Sequence, residues 1–170
     1  MAKTVLIFLL MFPAALFAQA SNMVERQAFR SLSAQQSSST TVAAQITGLS
    51  LDVPQGATIS FRLDLYTSMP NPATGIVIGM TSSVPPQVYA SAISCQSDGV
   101  GQTGASVTSS DIAATISLNG ATTSAHCVIT GTITGSATSA STLTPTLARA
   151  SGVGTVTVIA NSTIKMDRIR

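Results

Sequence analysis

Between Ala57 and Tyr66 the chain reads ATISFRLDLY, with Ile59, Phe61, Leu63 and Leu65 alternating with Ser60, Arg62 and Asp64. A two-residue period puts the first set on one face of an extended strand and the second on the other. This stretch is therefore expected as a half-buried β-strand, with Arg62 and Asp64 turned to water. The alternation recurs along the chain. Val42, Ala44 and Ile46, then Leu49, Leu51 and Val53 beyond Gly48, lead into a Pro54-Gln55-Gly56 turn. Ile76, Ile78 and Met80 alternate with Gly75, Val77 and Gly79, whose small size suggests close approach to a packed neighbour or a second subunit. Gln87 to Cys95 reads as another strand. Ile112, Ala114, Ile116 and Leu118 run up to Asn119-Gly120, a pair suited to the positive φ angles of a type I′ hairpin turn. The return run places Ala125, Cys127, Ile129, Gly131 and Ile133 on one face and His126, Val128, Thr130 and Thr132 on the other. Thr142 to Arg149 carries Pro145 and is expected at a sheet edge. Val153 to Ala160, an Asn161-Ser162 turn and Thr163 to Ile169 close the series.

Eight or nine short strands without a helix predict an all-β fold. A lone sheet would leave its apolar face in water, so the expectation is an antiparallel β-sandwich, jelly-roll-like, over residues 42–170. No internal sequence repeat points to a solenoid or propeller. Ahead of this domain, Ser21 to Arg30 has the spacing of one or two helical turns, and SLSAQQSSSTT from Ser31 to Thr41 has no periodicity. Residues 21–41 are expected as an N-terminal segment and a flexible linker or stalk.

The first twenty residues change the picture of where the protein works. Lys3 precedes an apolar run from Val5 to Phe17, and Ala18-Gln19-Ala20 sets small residues at the last and third-last positions. That is the form of a signal peptide, residues 1–20, cleaved after Ala20. The alternative is a retained anchor, but the run is short of the ~20 apolar residues that span a bilayer. The product is expected to be secreted, periplasmic or at the cell surface, with no stable membrane span after cleavage.

Charged residues make up 8% of the 170, against roughly 25% in an ordinary domain. Solubility must then rest on hydroxyls and amides. Removing Lys3 leaves a nearly neutral chain, with no basic footprint for nucleic acid. Such a surface tolerates close packing against copies of itself, so a homo-oligomer is expected.

Candidate chemistry is sparse. Cys95 and Cys127 are the only cysteines. In an exported chain they read as a disulfide closing a loop of about 30 residues, worth roughly 3–4 kcal/mol in the chain-entropy model; two separate buried thiols are the alternative. His126 stands alone, and its neighbour Cys127 faces the other way, so it is read as a surface histidine and no metal site is expected. Asp52, Asp64, Asp98 and Asp111 lie at turns or exposed strand positions. No Gly-x-Ser-x-Gly elbow is present. No catalytic residue and no cofactor are expected. Asn161-Ser162-Thr163 matches a glycosylation sequon, but a turn asparagine is the preferred reading. The Gly/Ser-rich run from Ser97 to Ser110 is the longest expected loop and the favoured contact loop, with Asp98, Gly99, Gln102 and Thr103 as candidate contact residues.

The Thr142–Leu147 strand, the Ala148–Gly152 turn, the Thr155–Val158 strand and the closing Ile164–Ile169 strand, taken with GLSLDVPQGATISFRLDLY nearer the start, form a recognisable pattern. It resembles the β-rich domains of bacteriophage head-fibre, tail-fibre and related virion surface proteins over roughly residues 42–169. The resemblance implies a sandwich-like domain that can trimerise and project from a particle, and it carries over no catalytic residue. The leader and the cysteine pair depart from proteins assembled in the cytoplasm and fit a cell-surface protein better. The expected function is thus a non-enzymatic exported structural or adhesion domain, displayed on the virion surface if phage-encoded. The alternative is a secreted module for a carbohydrate or other small ligand. Its expected partners are copies of itself and a cell-surface or glycan partner. Tyr66, Tyr89, Phe61 and Phe29 make a poor aromatic platform for the alternative.

Overall fold

A computed structural model of the chain describes residues 28–69, 74–97, 104–118 and 123–169. Within them lie thirteen strands and no helix. The leader, Asp98, Gly99, Gln102, Thr103 and the Asn119-Gly120 pair fall outside the described residues. The strands are β1 (Ala28–Ser31), β2 (Gln36–Ser38), β3 (Ala44–Gln45), β4 (Leu51–Val53), β5 (Thr58–Ser68), β6 (Ile76–Ser82), β7 (Val88–Ser97), β8 (Gly104–Ser109), β9 (Thr115–Leu118), β10 (Ser124–Thr134), β11 (Ser141–Arg149), β12 (Val156–Val158) and β13 (Thr163–Arg168). Thirteen exceeds the eight or nine expected because β1, β2 and β8 lie in stretches read as helix, linker and loop, and the Val42–Val53 run divides into β3 and β4.

Two antiparallel sheets result, in a sandwich-like arrangement. The large sheet has eight strands in the order β1-β13-β5-β10-β7-β8, with β12 beside β5 and β2 beside β12. The small sheet has five, in the order β3-β11-β6-β9, with β4 also on β11. Eight strands, β4 to β11, form four nested pairs: β7 with β8, β6 with β9, β5 with β10, and β4 with β11. The pairs alternate between large and small sheet, as if one long hairpin had been rolled up. Lateral pairing of β7 with β10 and of β6 with β11 joins the rungs.

The core follows from the alternation. Along β5 the residues Ile59, Phe61, Leu63 and Leu65 are buried, as expected. They join Ile93 of β7 and Ile129 and Ile133 of β10 in one cluster with Ile76 and Ile78 of β6 and Leu143 and Leu147 of β11. Each such side chain contributes about 1.5–3 kcal/mol on leaving water. Gly131 makes room for the Phe61 ring: a Cβ there would lie 2.7 Å from Phe61 Cζ and 2.4 Å from the Ala90 carbonyl oxygen. Phe61 in turn stacks on Tyr89, with ring centroids 6.2 Å apart.

Four expectations need correction. The runs flanking Asn119-Gly120 do not pair with each other: β9 joins β6 in the small sheet, and β10 joins β5 and β7 in the large one. Pro145 is not on an edge strand, since β11 has β6 on one side and β3 and β4 on the other. Its missing N–H falls in the gap between those two short strands, while its carbonyl accepts from Ile46 N at 2.8 Å. The Gly/Ser-rich run expected as one loop contains β8. Finally, Ala28–Ser31 is strand, not helix, and the expected linker is not free. β1 pairs β13, β2 pairs β12, and Leu32 between them is 2% exposed.

These outer strands close an edge. β13 covers β5 from Ile59 to Asp64 and β12 covers Thr67 and Ser68. β1 and β2 then cover β13 and β12. An open edge as long as β5 would recruit other chains.

Candidate functional site

The outer face of the large sheet carries Arg62, Asp64, Lys165 and Asp167. The β5–β10 register sets Tyr66 opposite His126 and Asp64 opposite Val128. Arg62 grips Asp64 with two bonds, Nε to Oδ2 and Nη2 to Oδ1, both 2.8 Å. His126 Nε2 lies 3.5 Å from Asp64 Oδ1. The imidazole stacks on the Tyr66 ring at 4.6 Å, with the planes 7° apart. Hydrogen bonding from Arg62 holds the Asp64 carboxyl below its ordinary range, with partial burial opposing and the charges of Arg62 and His126 assisting. Lys165 and Asp167 continue the charged strip on β13, 3.7 Å apart.

Toward β8 the same face changes character. Ala90 and Ala92 of β7 form the floor of a shallow open depression of about 680 Å³. Thr108 and Ser110 line it on one side, Thr130 and Thr132 on the other. Beneath it, burial pushes the Tyr89 phenol up, a hydrogen bond with Ser91 opposes, and the charge of Asp111 adds to the rise.

The outer face of the small sheet is unlike either. The registers align Thr142, Thr144, Thr146 and Ala148 of β11 with Thr81, Gly79 and Val77 of β6, and these with Thr115 and Ser117 of β9. Among the described residues its one charge is Asp52, at the margin on β4, paired with Arg30 at 3.5 Å. Thr144 Oγ1 bonds Ser50 Oγ at 2.9 Å, so part of its polarity is satisfied internally. Gly79 allows the strands to close up, since a Cβ there would sit 2.8 Å from Thr115 Cγ2.

Cys95 and Cys127 stand directly opposite each other on β7 and β10, with Cα atoms 4.0 Å apart, and form the expected disulfide. The bridge faces the core, and His126 faces the other way. Asp111 shapes a turn, its Oδ1 accepting from Ala113 N at 2.9 Å. Asn161 is an exposed turn residue with φ of 73°. Among the described residues no three His, Cys, Asp or Glu side chains come together as a metal site, and no helix is long and apolar enough to cross a membrane.

Sequence reasoning set Arg62 and Asp64 on one strand face, turned to water, which is where they pair. It missed the Tyr66–His126 stack, which exists only through the register of strands sixty residues apart, and no local signal could have found it.

Comparison with protein-family models and with curated proteins finds no match. Among solved structures, the glycosylation-associated Gap123 complex of Streptococcus agalactiae aligns over 92% of this chain and 29% of its own, at 14% identity and a TM-score of 0.34. A structure of infectious bursal disease virus, Gx strain, aligns over 86% of this chain and 39% of its own, at 13% identity and a TM-score of 0.20. The chain thus spans well under half the length of either, and likenesses at that level carry no argument about function.

Proposed function

We propose that this chain is an exported, non-enzymatic structural or adhesion module that associates with copies of itself. Its rolled, nested pairing of β4 to β11 supports a jelly roll, an architecture used in capsid and lectin domains. The resemblance of its closing strands to phage fibre domains supports display on a particle or cell surface. The Cys95–Cys127 bridge supports an oxidising compartment.

One observation carries the self-association: the outer face of the small sheet is laid with Thr, Ser, Ala, Gly and Val and is charged only at its margin. Thr144, Thr146 and Ala148 are already buried between their neighbours, so a second copy meets chiefly Thr142, Thr81, Val77, Thr115 and Ser117 and strips water from no ion, which keeps the desolvation cost low. Sedimentation of the exported chain over a concentration series tests it. An oligomer is expected, and Thr115→Arg with Ser117→Arg, both exposed on β9, is expected to dissociate it. A monomer at every concentration would remove the proposal. A glycan-binding role is favoured only by the hydroxyl-walled depression over Ala90 and Ala92; saturable binding on a glycan array, lost in Ala92→Arg, would support it instead.

A further inference from the structure

Arg30, Arg62 and Lys165 are exposed, and each has a carboxylate at hand: Asp52, Asp64 and Asp167. Arg149, the last residue of β11, is half-buried and has none among the described residues. Its Nη1 donates to Gly154 O at 3.3 Å. Its Nε is enclosed and has no acceptor. A guanidinium cannot shed its charge and offers five donors. His126 Nε2, Ser141 Oγ and Asp167 Oδ1 are likewise enclosed without a hydrogen-bond partner among the described residues, but of the four only Arg149 Nε belongs to a permanently charged donor, which asks for an acceptor.

The loop that Arg149 touches is fastened in place. Ala150 N bonds Gly75 O at 3.3 Å, Ser151 N bonds Thr74 O at 2.9 Å, and Thr74 Oγ1 bonds Val153 O at 2.9 Å. Arg149 N itself bonds Thr40 O at 2.9 Å. The N–H groups of Gly152, Val153 and Gly154 donate to no acceptor among the described residues. Gly152 and Gly154 have φ of 68° and 125°, which other residues rarely adopt.

We propose that Arg149 and the 152–154 loop bind a small oxyanion: a carboxylate, sulfate or phosphate group. Arg62 shows the grip, taking both oxygens of Asp64 through Nε and Nη2. At Arg149 the same edge holds no such partner. The anion meets the partly exposed guanidinium and the exposed amides at the Gly152–Val153 tip. The site stands apart from the neutral face of the small sheet and does not depend on self-association.

Nuclear magnetic resonance of the full exported chain tests it through the Arg149 Nε–H signal and the amides of residues 152–154. Sulfate, phosphate or acetate is titrated against chloride at constant ionic strength. A saturable shift in these signals is expected, with Arg62 Nε–H as an unmoved control. Arg149→Lys, which keeps the charge but loses the fork, is expected to lose the amide response. A second arm dilutes the protein in chloride alone: signals that move with protein concentration assign the oxyanion to a carboxylate of another copy, and signals that do not assign it to a free anion. The proposal is overturned if Nε–H stays still in both arms, or if Arg149→Lys leaves the amide response intact.

Discussion

At Tyr66 the long strand β5 changes partner from β13 to β12, and between the two ladders its N–H would be left open. Ser162, wholly buried, supplies the missing acceptor: its Oγ takes the Tyr66 N–H at 3.0 Å and donates to Ile159 O at 2.9 Å. Ser162→Ala leaves that part-buried donor unmet and is expected to cost about 1 kcal/mol in a urea melt. Asp64 gives a prediction in pH. Pairing lowers its folded pKa, so the folded chain binds fewer protons there than the unfolded one. Its contribution is complete above the ordinary aspartate range near 4 and is lost as pH falls through the lower folded value. Asp64→Asn should therefore melt below wild type at neutral pH and converge with it in acid; a gap unchanged down to the acid limit would contradict the pairing. Of these residues, Arg62 and Asp64 were legible because one strand's period settles their side. Ser162 and Tyr66 were not, because their bond depends on where two strands stop.

Among the elements, the N-terminal arm departs most from its sequence. SLSAQQSSSTT has the composition of a tether, yet its single leucine is a plug. Leu32 reaches a socket that exists because residue 48 is glycine: a Cβ there would lie 2.7 Å from Leu32 Cδ1. Backbone bonds fix it on both sides, Leu32 N to Ser162 O and Asn161 N to Leu32 O. Gln36 ties the arm to Thr47 through both ends of its amide, at 3.1 and 3.2 Å. Leu32→Ala is accordingly expected to destabilise by about 2–5 kcal/mol, the range for a fully buried leucine; a free linker would show almost no change in the same denaturation curve. The long strands were legible because ten or so alternating residues average out exceptions. Strands of three or four residues such as β1 and β2 carry no period, and the ladder partners that make them strands are more than a hundred residues away. Pro145 misled for a related reason: the rule that bars proline from central strands assumes a continuous neighbour, and β11 has two short ones with a gap.

At the scale of the molecule, fold class was legible and strand order was not. Alternation dictates two apolar faces that must meet, but it is silent on which strands meet. The Asn119-Gly120 signal favoured a local hairpin, and the rolled topology sends its two flanking strands to opposite sheets. Nearly every rung joins distant residues: Leu51 lies opposite Leu143, and Ala28 opposite Met166. Such a fold gains little until long loops have closed, so it should fold in milliseconds to seconds or slower. The disulfide bears on this step because β7 and β10 are neighbours inside the large sheet, and the bridge, across a separation of 32 residues, holds them together before any ladder forms. That loop closure is worth roughly 3–4 kcal/mol in the unfolded chain. Cys95→Ala with Cys127→Ala should therefore lose stability and also refold more slowly. The slowing is about tenfold for each 1.4 kcal/mol of closure entropy that falls before the transition state. Stopped-flow refolding from urea, with the wild-type bridge intact, separates the outcomes. A double variant that refolds at the wild-type rate and only unfolds faster would place the β7–β10 pairing after the barrier, and would move the nucleus to the β6–β11 side of the roll.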